Sequence, residues 1–162
     1  MKSLVVVPDR CTGCYRCELI CSFVHFKTIS PAKSAIRVVR KDHAPVDVPI
    51  FCIQCGLCIG VCPVNALSRD PKTQAVVVDK EKCIGCGRCV YVCPYGAVTL
   101  DPETRKAVKC DLCGGDPQCV KICPENAIQY VDVNKASHFK RVAFANLWRK
   151  EITPLVPYPR RG

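Results

Sequence analysis

Long apolar runs and nucleotide-binding motifs are absent from this 162-residue sequence. No segment approaches the roughly 18 consecutive apolar residues that a membrane-spanning helix requires. The chain begins with only a four-residue apolar run before Pro8, so we expect no signal peptide and a cytoplasmic location, or export together with a signal-bearing partner. Neither G-x-G-x-x-G nor G-x-x-x-x-G-K-[ST] occurs, and any flavin, nicotinamide or pterin is therefore expected on another chain.

Cysteine is the residue that the chain has in excess. Its 16 cysteines fall into four groups of four, with none left over. The groups are Cys11, Cys14, Cys17 and Cys21; Cys52, Cys55, Cys58 and Cys62; Cys83, Cys86, Cys89 and Cys93; and Cys110, Cys113, Cys119 and Cys123.

Three kinds of site compete for these cysteines. A disulfide scaffold needs an oxidising compartment, and adjacent C-x-x-C pairs are poor partners for long-range bridges. Zinc sites commonly use two C-x-x-C pairs separated by a dozen or more residues. Here a third cysteine follows at once in three groups, and a C-x-x-x-C-P ending appears three times. This pattern favours [4Fe–4S] clusters, whose ligands have the same spacing in bacterial ferredoxins.

The formal charge of +10 counts every cysteine as neutral. An oxidised cube with four thiolates carries about 2−, so four cubes leave the loaded chain at about +2. The lysine and arginine excess is therefore expected to balance the clusters or to attract acidic partners, and a nucleic-acid partner is not expected.

The sequence contains a repeat with a period of 31 residues, which aligns the second cysteine group with the third. The repeat also aligns Asp70-Pro71-Lys72-Thr73 with Asp101-Pro102-Glu103-Thr104, and such a segment between β-rich runs predicts a turn. Each repeat predicts a cluster loop, a short helix and two strands, at 66–69 with 75–79 and at 97–100 with 107–109. We therefore expect an α+β fold of two bacterial-ferredoxin-like modules related by pseudo-twofold symmetry, plus a C-terminal helix and extended tail.

Three segments follow from this fold. Residues 51–104 form an inner module with groups two and three, and residues 1–50 with 105–133 form an outer module with groups one and four. Residues 134–162 form a C-terminal helix and a proline-rich docking tail, with Asn134 as the expected helix cap. Apolar residues recur in that helix at helical spacing, and they pack either on the chain's own core or on a partner: Ala136, Phe139, Val142, Ala143 and Leu147.

The fourth cysteine of each motif in a two-cluster ferredoxin binds the neighbouring cluster. Pairing group two with three, and one with four, gives a nested scheme in which all 16 cysteines are iron ligands. Its sets are Cys11, Cys14, Cys17 and Cys123 (cluster 1); Cys52, Cys55, Cys58 and Cys93 (cluster 2); Cys83, Cys86, Cys89 and Cys62 (cluster 3); and Cys110, Cys113, Cys119 and Cys21 (cluster 4). The alternative scheme pairs group one with two and group three with four. The repeat favours the nested scheme.

Cubes with four cysteine ligands have no open coordination position for a substrate, so no catalytic residue is expected. The function that this leaves for the clusters is one-electron transfer. His25 is expected to be a packed or hydrogen-bonded histidine, because cysteines already fill every ligand position. Apolar residues between the thiolates are expected to exclude water: Ile53, Leu57, Ile59, Ile84, Val90 and Val92.

The order of the groups, over about residues 3–133, resembles the four-cluster electron-transfer subunits of molybdenum and tungsten pterin oxidoreductases. CIGCGRCVYVCPYGAV is similar to that family's third motif and KCDLCGGDPQCVKICPENAI to its fourth. The nested pairing is also the family's, although group two lacks extra residues common there. CTGCYRCELICSFVH and the small size look most like the small iron–sulfur subunits of tungsten aldehyde oxidoreductases and the related aryl-CoA reductases.

This resemblance implies a non-catalytic electron-relay subunit. Single electrons would pass between a pterin-containing catalytic subunit and a flavin subunit, a ferredoxin or another redox partner. The alternatives are a free, diffusible polyferredoxin and a zinc-binding interaction module. Self-association of copies into a longer chain of clusters is a further hypothesis about partners.

Overall fold

The computed structural model describes residues 2–40 and 47–152, and there the protein consists of short helices, one long C-terminal helix and two-stranded antiparallel sheets. The strands are β1 (Lys2–Val6), β2 (Ile36–Arg40), β3 (Asp47–Phe51), β4 (Leu67–Arg69), β5 (Val76–Val78), β6 (Val98–Leu100), β7 (Ala107–Lys109) and β8 (Ile128–Asp132). The helices are α1 (Arg16–Phe26), α2 (Leu57–Gly60), α3 (Arg88–Val92), α4 (Gln118–Ile122) and α5 (Val133–Ile152).

The two ends of the cysteine-bearing chain pair with each other. β1 and β8 are antiparallel, with Leu4 opposite Tyr130, and the Val7 N–H donates to the Ala127 carbonyl at 2.8 Å. α1 packs against α4, and β2 pairs with β3. Leu4, Ile36, Phe51, Leu112 and Ile128 belong to one hydrophobic cluster under these elements. This packing brings cysteine groups one and four together.

The inner part of the chain repeats with the predicted period. Hairpin β4–β5 and hairpin β6–β7 occupy equivalent positions, and α2 packs against α3. The turns also agree, because Asp70 accepts hydrogen bonds from the Thr73 N–H and hydroxyl at 2.7 and 2.8 Å, and Asp101 accepts one from the Thr104 hydroxyl at 2.6 Å. The predicted turns and strand pairs are thus confirmed, with strand ends one residue shorter in places.

The division into three segments stays a prediction, and the pairing of β7 bears on its boundary after residue 104. The division after residue 104 falls inside the turn of hairpin β6–β7, since β7 pairs along its whole length with β6. Ala107 also packs in the second hydrophobic cluster, together with Leu67, Val76 and Val98. Strand pairing and packing therefore place β7 with the inner hairpins.

The start of the C-terminal helix also differs from the prediction. Asp132, rather than Asn134, acts as the cap, because its side chain accepts the Asn134 N–H at 2.9 Å and α5 begins at Val133. α5 packs against β1 and β8, with Ala136 buried and Val142 exposed. The other side chains of the predicted apolar stripe, and the extended tail at 153–162, lie outside the described residues. No helix in the described part of the chain has the length and apolarity needed to cross a bilayer.

Candidate functional site

The same backbone turn recurs in all four cysteine loops. The residue before the second cysteine has a left-handed φ in each: 65° at Gly13, 61° at Gln54, 70° at Gly85 and 61° at Leu112. Turns of this kind direct successive backbone N–H groups into a concavity that binds anions, including iron–sulfur clusters. Gln54 and Leu112 adopt the turn although L side chains disfavour it, so the loop geometry is maintained at the expense of local strain. The backbone therefore fits a negatively charged cluster.

Gly85 shows why a glycine occupies one of these turns. A Cβ there would lie 2.5 Å from the carbonyl oxygen of Arg105, which is part of the backbone and has little room to move. The loop of group three therefore packs directly against the turn of hairpin β6–β7.

The fourth cysteines of groups two, three and four share a local structure. Each stands before a proline, and its Sγ accepts the N–H of an alanine four residues later: Ala66 to Cys62 at 3.2 Å, Ala97 to Cys93 at 3.4 Å and Ala127 to Cys123 at 3.3 Å. The residue before each alanine is left-handed, with φ of 50°, 58° and 50° at Asn65, Gly96 and Asn126. Asparagine and glycine are the residues that tolerate this conformation best. The sequence Cys-Pro-x-[Asn/Gly]-Ala thus holds a thiol in place.

Three cavities are each lined by four cysteines drawn from two groups. Their volumes, counted with the space that is open to solvent, are about 350, 350 and 370 Å³. Their cysteines are Cys62 with Cys83, Cys86 and Cys89; Cys123 with Cys11, Cys14 and Cys17; and Cys21 with Cys110, Cys113 and Cys119. Groups one and four thus exchange their fourth cysteines: Cys123 lines the cavity of group one, and Cys21 lines the cavity of group four. Each cavity has the donor set that a cube requires.

The remaining predicted set consists of Cys52, Cys55, Cys58 and Cys93. Cys58 and Cys93 belong to the same hydrophobic cluster, where α2 packs against α3. Burial raises the pKa of Cys58, and the neighbouring thiols of Cys52 and Cys55 raise it further. The Cys52 and Cys55 thiols therefore lie near the Cys58 thiol.

Burial controls the thiol chemistry of the outer groups. It raises the pKa of Cys17 and of Cys119 to about 12 and is the largest cause of the raised pKa at Cys21 and Cys110. These thiols are protonated at neutral pH without a metal, so cluster binding must release protons.

His25 lies in α1 and contacts a cysteine of group four. Its Nε2 is 3.6 Å from the Cys113 Sγ and 3.6 Å from the Asp111 Oδ1. The three side chains form a small group of donor atoms, but Cys113 also lines a cavity with three other cysteines. The contact matches the expected hydrogen-bonded histidine.

Several residues near the cavities are exposed. Cys14, Cys55 and Cys86, the second cysteines of three groups, reach the surface. Ile53, Leu57 and Ile84, which were expected to exclude water, are exposed as well, whereas Ile59, Val90 and Val92 pack on the core as predicted. In the loops of groups two and three the first cysteine, Cys52 or Cys83, is buried, and the isoleucine after it, Ile53 or Ile84, is exposed. These two loops therefore present apolar side chains at the surface.

Sequence reasoning missed Gln54, Ala35 and Lys109. Gln54 stands where groups one and three have glycine, and that substitution is the one local signal among them. Its Nε2 donates to the Cys110 carbonyl at 2.9 Å, a contact between residues 56 positions apart.

Comparison with known proteins agrees with this geometry. The 4Fe-4S dicluster domain family matches residues 10–67, 51–97 and 75–130 in three overlapping forms. These matches confirm [4Fe–4S] clusters as the cofactors, in place of zinc.

Two curated relatives are similar in sequence to this chain over most of its length. The polyferredoxin-like subunit of the aliphatic sulfonate oxidoreductase of Pyrococcus furiosus is 47% identical over 75% of this chain and 71% of its own. A putative electron transport protein of Escherichia coli is 37% identical over 86% of this chain and 95% of its own. A chain of the BamBC active-site complex of benzoyl coenzyme A reductase aligns with a TM-score of 0.49 and 23% identity over 90% of both chains.

The family follows from the cysteine-lined cavities, the three domain matches and the extent of the similarity to the two curated relatives. The chain belongs to the polyferredoxin-like iron–sulfur proteins built from 4Fe-4S dicluster domains.

Proposed function

We propose that this chain is a non-catalytic electron-transfer subunit of an oxidoreductase complex and relays single electrons through four [4Fe–4S] clusters. The observation that carries this proposal is the set of three cavities in which one group supplies three cysteines and another supplies the fourth. In the proposed assignment clusters 1, 3 and 4 occupy these cavities, and cluster 2 binds Cys52, Cys55, Cys58 and Cys93.

The clusters supply reversible one-electron chemistry, with potentials set by their surroundings. The protein's own residues control those surroundings. Backbone N–H groups of Ala35, Ala66, Ala97 and Ala127 donate to the fourth cysteines, which stabilises negative charge on sulfur. Buried apolar residues of the two hydrophobic clusters keep water away from the first and third cysteines.

The arrangement of modules is part of the proposal. The inner hairpins with α2 and α3 form one ferredoxin-like module, and β1, β8, α1 and α4 belong to the other. We propose that pseudo-twofold symmetry relates the two modules. The inner repeat supports symmetry of this kind, because its hairpins and helices are equivalent and recur at a constant spacing.

The partners are proposed from resemblance. The motifs of groups one, three and four favour a pterin-containing tungsten or molybdenum subunit of the aldehyde oxidoreductase type, with a flavin subunit or ferredoxin as the second partner, in the cytoplasm. The similarity to an oxidoreductase's polyferredoxin-like subunit supports a complex. The exposed Cys14, Cys55 and Cys86, with exposed apolar neighbours, offer surfaces where a partner's cofactor could approach.

The test is anaerobic purification of the tagged chain from its native host. We expect about 16 iron and 16 acid-labile sulfide per chain, and co-elution of a pterin-containing protein that reduces the clusters when its substrate is added. A fully loaded chain that elutes alone and is reduced only by soluble carriers would establish a diffusible polyferredoxin instead. Zinc without sulfide would contradict both.

A further inference from the structure

Lys109 is a buried cation at the junction of the two hydrophobic clusters. It ends β7, directly precedes Cys110 and is only 7% exposed. Its Nζ donates to the Cys110 carbonyl at 2.8 Å, to the Gln54 Oε1 at 3.2 Å and to the Val76 carbonyl. All three acceptors are neutral, and none of the ion pairs between described residues involves Lys109.

A buried ammonium without a carboxylate is costly unless other negative charge lies nearby. Two of the proposed clusters are placed to supply it. The Lys109 Nζ donates to the Gln54 Oε1, in the loop of group two, and to the carbonyl of Cys110, the first cysteine of group four. The ammonium therefore lies beside group two and beside group four.

Gln54 fixes this arrangement. Besides its bond to the Cys110 carbonyl, its Oε1 accepts the Val76 N–H at 2.9 Å, and its own N–H donates to the Cys52 Sγ at 3.4 Å. The loop of group two is therefore joined to the first cysteine of group four through one side chain. Lys109 and Gln54 form a hydrogen-bonded node between the two modules.

We propose that Lys109 is a positioning residue for electron transfer between the two modules. Its buried ammonium, held by Gln54, stabilises the reduced state of two clusters, one bound by Cys52–Cys58 and the other by Cys110–Cys119. Electrons cross between the modules at this position. The crossing moves one electron, which oxidises the donor cluster and reduces the acceptor cluster, with no proton transferred. This inference rests on the proposed function. A cation lowers the free energy of the more negative, reduced state, so its removal lowers both potentials.

Lys82 provides a matched control. It directly precedes the first cysteine of group three, as Lys109 does in group four. Its side chain is 64% exposed, however, and its Nζ lies 3.3 Å from the Asp79 Oδ2. Solvent and that carboxylate screen its charge.

The experiment is an anaerobic redox titration, followed by electron paramagnetic resonance, of the full chain and of the variants Lys109→Gln and Lys82→Gln. Glutamine retains hydrogen-bond donors without the charge. We expect the reduction equilibrium constants of two clusters to fall about tenfold in Lys109→Gln, which corresponds to about 59 mV for one electron. Variants Cys58→Ser and Cys110→Ser assign the two signals. Lys82→Gln should leave every midpoint near its original value.

Further variants separate an electrostatic role from a structural one. If Lys109→Gln loads incompletely, Lys109→Met repeats the test with a neutral side chain of similar shape. Full iron with unchanged midpoints in either neutral variant would overturn the proposal. Loss of clusters in both neutral variants and in Lys109→Arg would also overturn it, because a positive charge at this position would then not be sufficient and Lys109 would have a structural role alone. A native chain without iron and sulfide would instead overturn the proposed function.

Discussion

The Cys21 Sγ accepts the backbone N–H of Ala35 at 3.4 Å, across fourteen residues of chain. In the other three groups the equivalent donor is only four residues away, behind a proline. Group one has Ser22 in place of that proline, and α1 continues through it to Phe26. The completely buried Ser22 then donates to the Leu19 carbonyl at 3.0 Å and accepts the Ser30 N–H at 3.1 Å. A longer segment thus returns to the thiol and supplies the same donor.

Ser22→Pro should therefore be damaging even though proline is the common residue after a fourth cysteine. It would remove two buried hydrogen bonds and interrupt α1, which typically costs about 3 kcal/mol or more. We expect loss of iron from the sites that share α1 and α4. The measurement is iron and sulfide content after anaerobic reconstitution. The reverse change, Pro63→Ser, is the control and should keep nearly full iron; equal loading of both variants would show that the segment before Ala35 is not needed.

The crossing of Cys62 to the loop of group three can be tested by double substitution. Cys62→Ala combined with Cys83→Ala should remove one cluster, or about four irons, because both residues line one cavity. Cys62→Ala combined with Cys52→Ala should remove two clusters. Iron and sulfide analysis with Mössbauer spectroscopy provides the count.

The alternative group pairing gives a different pattern in the same experiment. It places Cys62 with the cluster of group one, so Cys62→Ala with Cys11→Ala would then remove only one cluster. Removal of two clusters by that pair and one by the Cys83 pair is the outcome that the nested scheme requires.

The fold was predictable wherever its signals are local. Cysteine spacing, the Asp-Pro-x-Thr turns and the 31-residue period specify hairpins β4–β5 and β6–β7 through neighbouring residues. Contacts between distant segments were not predictable in this way. Ala35 and Lys109 carry no local pattern that marks them, because their roles depend on how α1 and β7 pack against other parts of the chain. The first residue of α5 was missed for a smaller reason: Asp132 and Asn134 are both good caps, and packing of β8 selected the former.

Removal of the clusters should unfold the chain. Cysteines contribute much of both hydrophobic clusters, and the strands of the inner hairpins are only three residues long. Without metal the cavities would be empty, and so short a sheet is marginally stable by itself. We expect iron chelation under reducing conditions to abolish both the strand signal in circular dichroism and the protection of amide hydrogens from exchange. Reconstitution should restore both. An apoprotein with native-like exchange protection would contradict this expectation.

Asp101 and its repeat equivalent Asp70 should differ in their importance for stability. Both accept hydrogen bonds within their turns, but Asp101 is 2% exposed and has Lys33 Nζ 3.9 Å from its Oδ1, while that Nζ lies 2.6 Å from the Glu103 Oε2. Lys33 belongs to the segment between α1 and β2, so the pair joins the two parts of the molecule. Loss of a buried, charged hydrogen-bond acceptor typically costs about 2 kcal/mol. Asp101→Asn should therefore lower Tm by about 4–8 °C, and Asp70→Asn by clearly less.

The pH dependence of this difference follows from the Asp101 carboxyl. Burial acts to raise its pKa, but hydrogen bonds from Thr104 and Glu103 and the charge of Lys33 hold the pKa below its usual 3.8. A lowered pKa contributes stability that is fully present above 3.8 and is lost only as the pH falls through the folded value. The Tm difference between the native chain and Asp101→Asn should thus stay constant from about pH 6 to 9, where the clusters persist. Calorimetry of the loaded proteins measures it, and a difference that disappears within that range would show that the ionised carboxylate is not the stabilising species.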